Sequence, residues 1–234
     1  MTDIWQRTRL LLGDRAMDKL QQAHFLVVGL GGVGSYAAEA VTRAGVGRIT
    51  IADSDRIEQS NLNRQLPALH STLGEYKTQV MAARMRDINP SLNLTLYTLR
   101  FHPETSYQLF AHQDYDYVLD AIDSLPEKIH LIETCIKQEI ALISCMGAAN
   151  RIDSRQLAVA DISQTSVCPM ARKVRRELRK NGIRHGVEVV FSREQPRQLS
   201  DAARPDALGS MVTVTASAGL LMAQQAINRY LDLA

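Results

Sequence analysis

The chain has 234 residues, which is enough for one domain of ordinary size with a substantial hydrophobic core. Its 27 lysines and arginines against 25 aspartates and glutamates give a formal charge of +2, so overall charge provides no argument for nucleic-acid binding. Cys135, Cys145 and Cys168 form no C-x-x-C pair and the N-terminus has no signal-peptide core, so we expect neither a disulfide framework nor export, but a cytoplasmic protein.

The first predicted element is a buried strand that runs directly into a glycine-rich turn and a helix. The strand begins at Phe25, and the spacing of the glycines after it matches the dinucleotide fingerprint. Such a turn lets backbone N–H groups at a helix start approach phosphate. We expect the helix to end at Gly45 and a second strand to run from Arg48 to Ala52, with Asp53 placed to accept hydrogen bonds from ribose. The candidate phosphate-binding glycines are Gly29, Gly31, Gly32 and Gly34.

A polar block follows the second strand. It ends in Arg64 and Gln65, and Lys77 lies in the next predicted helix, which runs to Ile88 before Asn89-Pro90. An arginine fork and a mobile lysine charge suit a triphosphate better than a dinucleotide, because they neutralise a departing pyrophosphate. Within the block, Asp55 and Asn61 either contact the nucleotide or hold the loop through side-chain-to-backbone bonds.

Strands and helices continue to alternate after residue 90. Strands are predicted at 92–96, 117–121 and 140–144, with a helix at 126–138 between the last two. Asp123 follows a strand end, where its carboxylate either ligates Mg²⁺ or caps the helix. Arg64, Lys77 and Asp123 taken singly read as surface charges, but their joint placement after successive strand ends indicates a site. The alternation predicts an α/β fold: a Rossmann-like, mostly parallel sheet with helices on both faces.

We interpret the whole chain, 1–234, as a single domain. Its nucleotide-binding core is expected at 25–150, followed by an irregular basic accessory region at 151–205 and a C-terminal helix at 206–234. Residues 207–223 carry no charge and reach the short limit for a membrane span, but serines and threonines dilute their hydrophobicity. We therefore expect a buried helix and no membrane association.

A basic helix is predicted after Pro169, ending near Gly182. Ala171, Val174 and Leu178 form its apolar stripe, and the remaining positions are crowded with cations that either follow RNA phosphates or form a solvated face. Cys168 precedes this helix near many cations, although a small buried thiol is the commoner case. The candidate RNA-binding residues are Arg172, Lys173, Arg175, Arg176, Arg179 and Lys180.

In these motifs the chain resembles the adenylating fold of the ubiquitin-activating superfamily, which includes the ThiF-type sulfur-carrier activators. The motifs are the glycine turn, Asp53-x-Asp55, Asn61-Leu62-Asn63-Arg64-Gln65, Lys77 and Asp120-x-x-Asp123. The resemblance implies attack of a carboxylate on the α-phosphate of Mg·ATP, with Asp53 on ribose, Arg64 and Lys77 on phosphates and Asp123 on magnesium. It also implies a homodimer in which Arg7, or secondarily Arg9, reaches the neighbouring ATP site.

Further segments resemble the tRNA threonylcarbamoyladenosine dehydratase group of that superfamily: 7–13, 88–90, 120–124, 146–148, 160–162 and 168–180. The implied reaction uses ATP to activate the threonylcarbamoyl carboxylate on adenosine 37 of tRNA. The side chain's own carbamoyl group then closes a ring and expels AMP. Intramolecular attack needs no enzyme thiol, in keeping with the missing C-x-x-C pair. A sulfurtransferase-type protein partner is compatible with this resemblance.

Two other functions remain open at this point. One is an adenylating activator of a small carrier protein with a C-terminal glycine pair. The other is a nicotinamide-dependent oxidoreductase, in which Arg64 and Lys77 would have no role on the phosphates.

Overall fold

The computed structural model describes residues 4–111, 114–198 and 208–233. Seven strands form one sheet in the order β3-β2-β1-β4-β5-β7-β6. All neighbouring strands are parallel except β6 and β7. The strands are β1 His24–Val28, β2 Arg48–Ala52, β3 Asn93–Tyr97, β4 Tyr117–Asp120, β5 Ala141–Cys145, β6 Leu157–Asp161 and β7 Glu188–Ser192.

Helices separate most of the strands, as the predicted βαβ units require. They are α1 Gln6–Leu12, α2 Asp14–Gln22, α3 Gly34–Ala44, α4 Lys77–Ile88, α5 Ser106–Phe110, α6 Leu125–Lys137, α7 Pro169–Lys180 and α8 Val212–Tyr230. The predicted second strand is confirmed at its predicted limits. The helix after the glycine turn is confirmed too, and Gly45 ends it with φ +102° in the left-handed region.

Both faces of the sheet are covered, which explains why the central strands are apolar on every residue. All five residues of β1 are buried. One core cluster joins β1 and β2 to helices α2, α3, α4 and α8, and a second joins β4 and β5 to α5, α6 and α7. The predicted α/β fold, with a mostly parallel sheet between two helical layers, is confirmed.

The expectation of an irregular region at 151–205 is wrong for the residues that the structure describes. β6 and β7 extend the main sheet there, and α7 packs against α6. The strands pair antiparallel, from Leu157 opposite Ser192 to Asp161 opposite Glu188. Because their partners are about 30 residues apart in sequence, no local turn signal marks the pair.

The predicted C-terminal helix is present as α8, and it packs along α3. Val214, Ala218, Met222 and Ala226 are fully buried on its inner side. Positions 206, 207 and 234 of the predicted stretch lie outside the described residues. In the described part of the chain, no helix combines the length and hydrophobicity needed to cross a bilayer.

Candidate functional site

A cavity of about 960 Å³ lies along the carboxyl edge of the sheet, where β1, β2, β4 and β5 end. It brings together most of the residues that the sequence predicted. A second cavity, of about 490 Å³, lies by Tyr117 and Ala141 at the amino ends of β4 and β5 and contains none of them. The predicted residues that line the larger cavity are Gly29, Gly31, Gly32, Asp53, Asp55, Asn61, Arg64, Gln65, Lys77 and Asp123.

The glycine turn brings β1, α3 and the end of β4 into direct backbone contact. Gly29 has φ +90°, and a Cβ built on it would lie 2.8 Å from the carbonyl oxygen of Ala121. A Cβ on Gly34 would lie 1.8 Å from the carbonyl oxygen of Gly29, so only glycine fits. No side chain caps the first turn of α3, whose N-cap is Val33. The Ser35 N–H already donates to the Gly31 carbonyl at 3.1 Å and the Leu30 N–H to Asp53, so the N–H groups between them are the ones available to an anion.

Asp53 connects the glycine turn to the loop after β2. Its carboxylate accepts hydrogen bonds from the backbone N–H of Leu30 at 2.6 Å and of Asp55 at 2.7 Å. Burial raises the pKa of Asp53 above its ordinary value, while Lys77 and the two N–H donors act in the opposite direction. A carboxylate has further lone pairs, so hydroxyl donors can still bind to it.

Lys77 is buried at the start of α4 and its charge faces the cavity. Its side chain is 6% exposed, and Nζ donates to Asp55 Oδ2 at 2.7 Å. Asp55 itself is 64% exposed, and its backbone carbonyl accepts from the Lys77 N–H at 3.0 Å. This ion pair holds the Lys77 ammonium group in the wall of the cavity that the glycine turn also lines.

Arg64 and Gln65 come from the short loop that faces the glycine turn. Arg64 Nη1 donates to the Ser60 carbonyl at 2.8 Å and to Asn63 Oδ1 at 3.0 Å, which leaves other guanidinium donors for a ligand. Gln65 is buried, and its Oε1 has no hydrogen-bond partner among the described residues. Asn61 Oδ1 accepts from the backbone of Glu58, so Asn61 holds the loop, one of its two predicted roles.

Asp123 lies past the end of β4 and is exposed. Within the described ranges its carboxylate makes no hydrogen bond or ion pair. Ser124, not Asp123, is the N-cap residue of α6, and its side chain bonds to Glu127. The structure therefore does not assign Asp123 the helix-capping role.

The turn after β4 is held by a buried charge network that the sequence analysis missed. Asp120 and Lys128 are both fully buried, with Lys128 Nζ 2.8 Å from Asp120 Oδ2. Ser144 Oγ donates to the same oxygen at 2.6 Å, and the Ile122 N–H donates to Asp120 Oδ1 at 3.0 Å. The sequence contained one signal of this burial. Lys128 lies three residues before the apolar Leu131 in α6, so the two residues share the buried face of the helix.

Arg7 and the α7 cations do not line the cavity. Arg7 is exposed on α1, and Arg9 pairs with Asp14 at 3.0 Å. On α7, Arg175 is half-buried and donates to the carbonyl of Thr165 at 2.8 Å. Arg176 and Lys180 pair with Glu177. Exposed cations of α7 are Arg172, Lys173, Arg176, Arg179 and Lys180.

The cysteines are all buried and unpaired. Burial raises the pKa of Cys145 to about 12 and raises the pKa of Cys135 far above its ordinary value. Both are core thiols, as predicted. Cys168 is the N-cap residue of α7 and lines the large cavity together with Arg151, which the sequence analysis did not single out.

Comparison with known proteins gives consistent results over nearly the full chain. The chain is 44% identical over 202 residues, 86% of its length and 79% of the relative's, to a tRNA threonylcarbamoyladenosine dehydratase of Bacillus subtilis. A crystal structure of the E. coli enzyme of that name in complex with AMP superposes with a TM-score of 0.91 at 36% identity, covering 99% of this chain and 97% of the other. Its complex with ATP gives a TM-score of 0.89 at 36% identity, with the same coverage.

Fold and cavity together define an α/β protein of the adenylating class, with a glycine turn, an arginine, a lysine and an aspartate around one cavity at the carboxyl edge of its sheet. Residues 5–233 match the sequence profile of the ThiF family. The chain belongs to the ThiF family.

Proposed function

We propose that this chain uses ATP to adenylate the threonylcarbamoyl carboxylate on adenosine 37 of tRNA, and that dehydrative ring closure follows. One observation carries the proposal: a single cavity collects the glycine turn, Arg64, Lys77 and Asp123. The dehydratase that is 44% identical to the chain matches 86% of its length, which supports the same substrate.

The cavity has the donors that a nucleoside triphosphate needs. The uncapped start of α3 offers N–H groups to phosphate, and Asp53 is placed for ribose hydroxyls. In the first step a carboxylate oxygen bonds to the α-phosphorus, and the bond from that phosphorus to the bridging oxygen breaks. Negative charge then collects on the leaving pyrophosphate. Arg64 and Lys77 stabilise that charge.

Asp123 would hold a magnesium ion at this cavity by supplying a carboxylate oxygen as ligand. In proteins Mg²⁺ is commonly bound by one or two carboxylates together with substrate phosphates and water, so a single exposed carboxylate without a protein partner is suitable. A bound Mg²⁺ would neutralise charge on the phosphate oxygens. The described residues contain no cluster of three or more histidine, cysteine or acidic side chains that would form an all-protein metal site.

Ring closure needs no residue that carries the acyl group. The carbamoyl group attacks the activated carbonyl in the same side chain and loses a proton, the acyl–phosphate anhydride bond breaks, and AMP leaves with the bonding electrons. Intramolecular attack has a high effective concentration. Cys145 and Cys168 line the cavity, but this route needs neither of them as an acyl carrier.

The proposal includes tRNA binding by the cations of α7 and a homodimer in the cytoplasm. Five of the six α7 cations are exposed, which favours contact with RNA phosphates. Helix α1 buries none of its own residues, and Leu10 and Leu11 are each 82% exposed. Such exposed apolar side chains favour contact with a second copy of the chain, and the family resemblance implies that Arg7 then reaches the partner's ATP site. A sulfurtransferase-type protein remains a further candidate partner.

The test is AMP formation by the purified chain with ATP and three acceptors. We expect AMP with tRNA that carries threonylcarbamoyladenosine and none with unmodified tRNA. AMP formed only with a carrier protein that ends in a glycine pair would select the carrier-activating alternative. Binding of NADH without ATP would select the oxidoreductase.

Mass spectrometry of tRNA nucleosides provides the matching test in cells. A strain without this chain should accumulate the open threonylcarbamoyl nucleoside, and adding the chain back should restore the cyclic form. Unchanged nucleosides in both strains would contradict the proposal.

A further inference from the structure

One part of the wall of the large cavity comes from the end of β5 and the start of α7, and we call it the distal lobe. It consists of residues 145–151, which begin at the last residue of β5, and residues 168–170. The ATP contacts proposed above do not use this lobe. Its chemistry differs from that of the phosphate-binding part, and the difference comes from Arg151 and α7.

Arg151 is a buried cation with one nitrogen atom, Nη2, left without a hydrogen-bond partner among the described residues. Its side chain donates from Nη1 to the carbonyl oxygens of Gly147 at 2.6 Å and Ala149 at 2.9 Å, and from Nε to that of Glu194 at 3.3 Å. The residue is only 3% exposed, and Nη2 has no partner in the described part of the chain. A buried charged donor without a partner is costly, so an acceptor from a ligand would stabilise it.

The start of α7 adds a second set of donors. The helix has 12 residues, no side chain caps it, and its first turn contains no acidic residue. Pro169 at the first position has no N–H, so the free donors are the backbone N–H groups that follow it. The helix dipole adds partial positive charge here.

The two features meet at Gly147. A Cβ built on Gly147 would lie 3.7 Å from Cys168 Sγ, 3.5 Å from Met170 Cβ and 3.9 Å from Arg151 Nη1. The guanidinium group, at its Nη1 end, and the first turn of α7 therefore both border the position of Gly147 in the cavity wall.

The distribution of charge in the cavity separates this lobe from the rest. All acidic lining residues follow β2 or β4: Asp53, Asp55, Glu58, Asp123 and Glu127. Beyond Glu127, Arg151 is the only charged lining residue among those that the structure describes. The distal lobe thus has one cation and no carboxylate, whereas the rest of the lining has five carboxylates together with Arg56, Arg64, Lys77 and Arg100.

We infer that the distal lobe is a carboxylate subsite, in which Arg151 and the start of α7 bind the acidic end of the acyl substrate. The inference rests on the proposed function, because that reaction requires a substrate carboxylate beside ATP. One carboxylate oxygen is needed for attack on phosphorus, and the other accepts from Arg151 and from the helix start. A planar guanidinium is suited to such an oxygen.

A phosphodiester of the tRNA chain is the other anion to consider, and the burial of Arg151 argues against it. Phosphate contacts normally come from exposed cations that follow the nucleic-acid backbone. The carboxylate assignment has a further consequence. Ring closure converts the acid into a neutral product, so the subsite favours the substrate over the product.

The test compares binding of two tRNAs without ATP: one with the threonylcarbamoyl acid and one with its methyl ester. We expect the unaltered protein to bind the acid about tenfold or more tightly than the ester. Arg151→Gln should remove this preference. Gly147→Ala should reduce it as well, because its methyl group fills the space between the cation and the helix. Arg155→Gln is the matched control, since Arg155 is 87% exposed in the same segment and pairs with Asp153.

Equal binding of acid and ester by the unaltered protein would overturn the inference, as would an acid preference that survives both Arg151→Gln and Gly147→Ala. An equal loss for acid and ester in Arg151→Gln would assign Arg151 to the phosphodiester chain. ATP affinity is measured for each variant, and if Arg151→Gln loses it, Gly147→Ala decides. Absence of AMP formation by the unaltered protein would instead count against the proposed function.

Discussion

Replacement of two buried lysines by methionine should affect different properties: activity for Lys77 and stability for Lys128. Lys77 is 6% exposed and its ion-pair partner Asp55 is 64% exposed. In Lys77→Met, Asp55 stays hydrated, so the loss of stability should be below about 1 kcal/mol. Loss of a preorganised charge that stabilises the leaving pyrophosphate should reduce kcat/KM for AMP formation by about 10²–10³, or about 2.7–4 kcal/mol.

Lys128→Met has a different expected outcome. Lys128 and Asp120 are both fully buried, and the variant leaves the Asp120 carboxylate without its countercharge. Breaking a buried ion pair in this way costs about 3–5 kcal/mol. We therefore expect Lys128→Met to lose much of its stability or to fail to fold.

The two variants are compared by urea unfolding and by the rate of AMP formation with modified tRNA. We expect Lys77→Met to remain stable with kcat/KM lower by about 10²–10³, and Lys128→Met to be unstable. Full activity in Lys77→Met would refute the assignment of Lys77 to the phosphates. A loss of stability in Lys77→Met equal to that in Lys128→Met would refute the argument from exposure.

Burial lowers the pKa of His24 below its ordinary value of 6.5. Below pH 6.5 the folded chain therefore binds fewer protons than the unfolded chain. The free energy of unfolding should fall there by up to about 1.4 kcal/mol per pH unit. Urea unfolding at pH 7.5 and 5.5 should show this decrease, and a His24→Gln variant that keeps the full slope would contradict it. Gly34→Ala places a Cβ 1.8 Å from a backbone oxygen and should lower Tm by about 6 °C or more, whereas Gly32→Ala meets mainly side-chain atoms at 3.1 Å or beyond and should lower it less. Asp123→Asn should leave Tm unchanged and raise the Mg²⁺ concentration for half-maximal AMP formation by about tenfold; an unaltered Mg²⁺ titration would remove Asp123 from the proposed metal site.

The elements that the sequence predicted carry complete local signals. Strand β2 is a short apolar run after a glycine cap, and α4 ends where Asn89-Pro90 prevents continuation. Strands β6 and β7 lack such local signals, because their antiparallel pairing joins segments far apart in the chain. All residues of β6 are half-buried, and their preference for a strand depends on packing against β7.

The same difference between local and distant signals separates the site residues that could be predicted from those that could not. Lys77 and Asp123 could be predicted because charged residues after strand ends have one common location in a parallel sheet. Arg151 and Lys128 could not be assigned roles, because their surroundings come from distant segments. Glu194 contributes the carbonyl that holds Arg151, and Ser144 from the next strand completes the network around Lys128.

The network of Asp120, Lys128 and Ser144 also constrains how β4 and β5 align. Asp120 lies directly opposite Ser144 in the parallel ladder. A shift of β5 by one residue would place Ile143 or Cys145 there and remove a hydrogen bond from a carboxylate that has no access to water. Purely apolar strands would tolerate such a shift far better. During folding, these polar atoms would therefore make a register shifted by one residue less favourable than the native alignment.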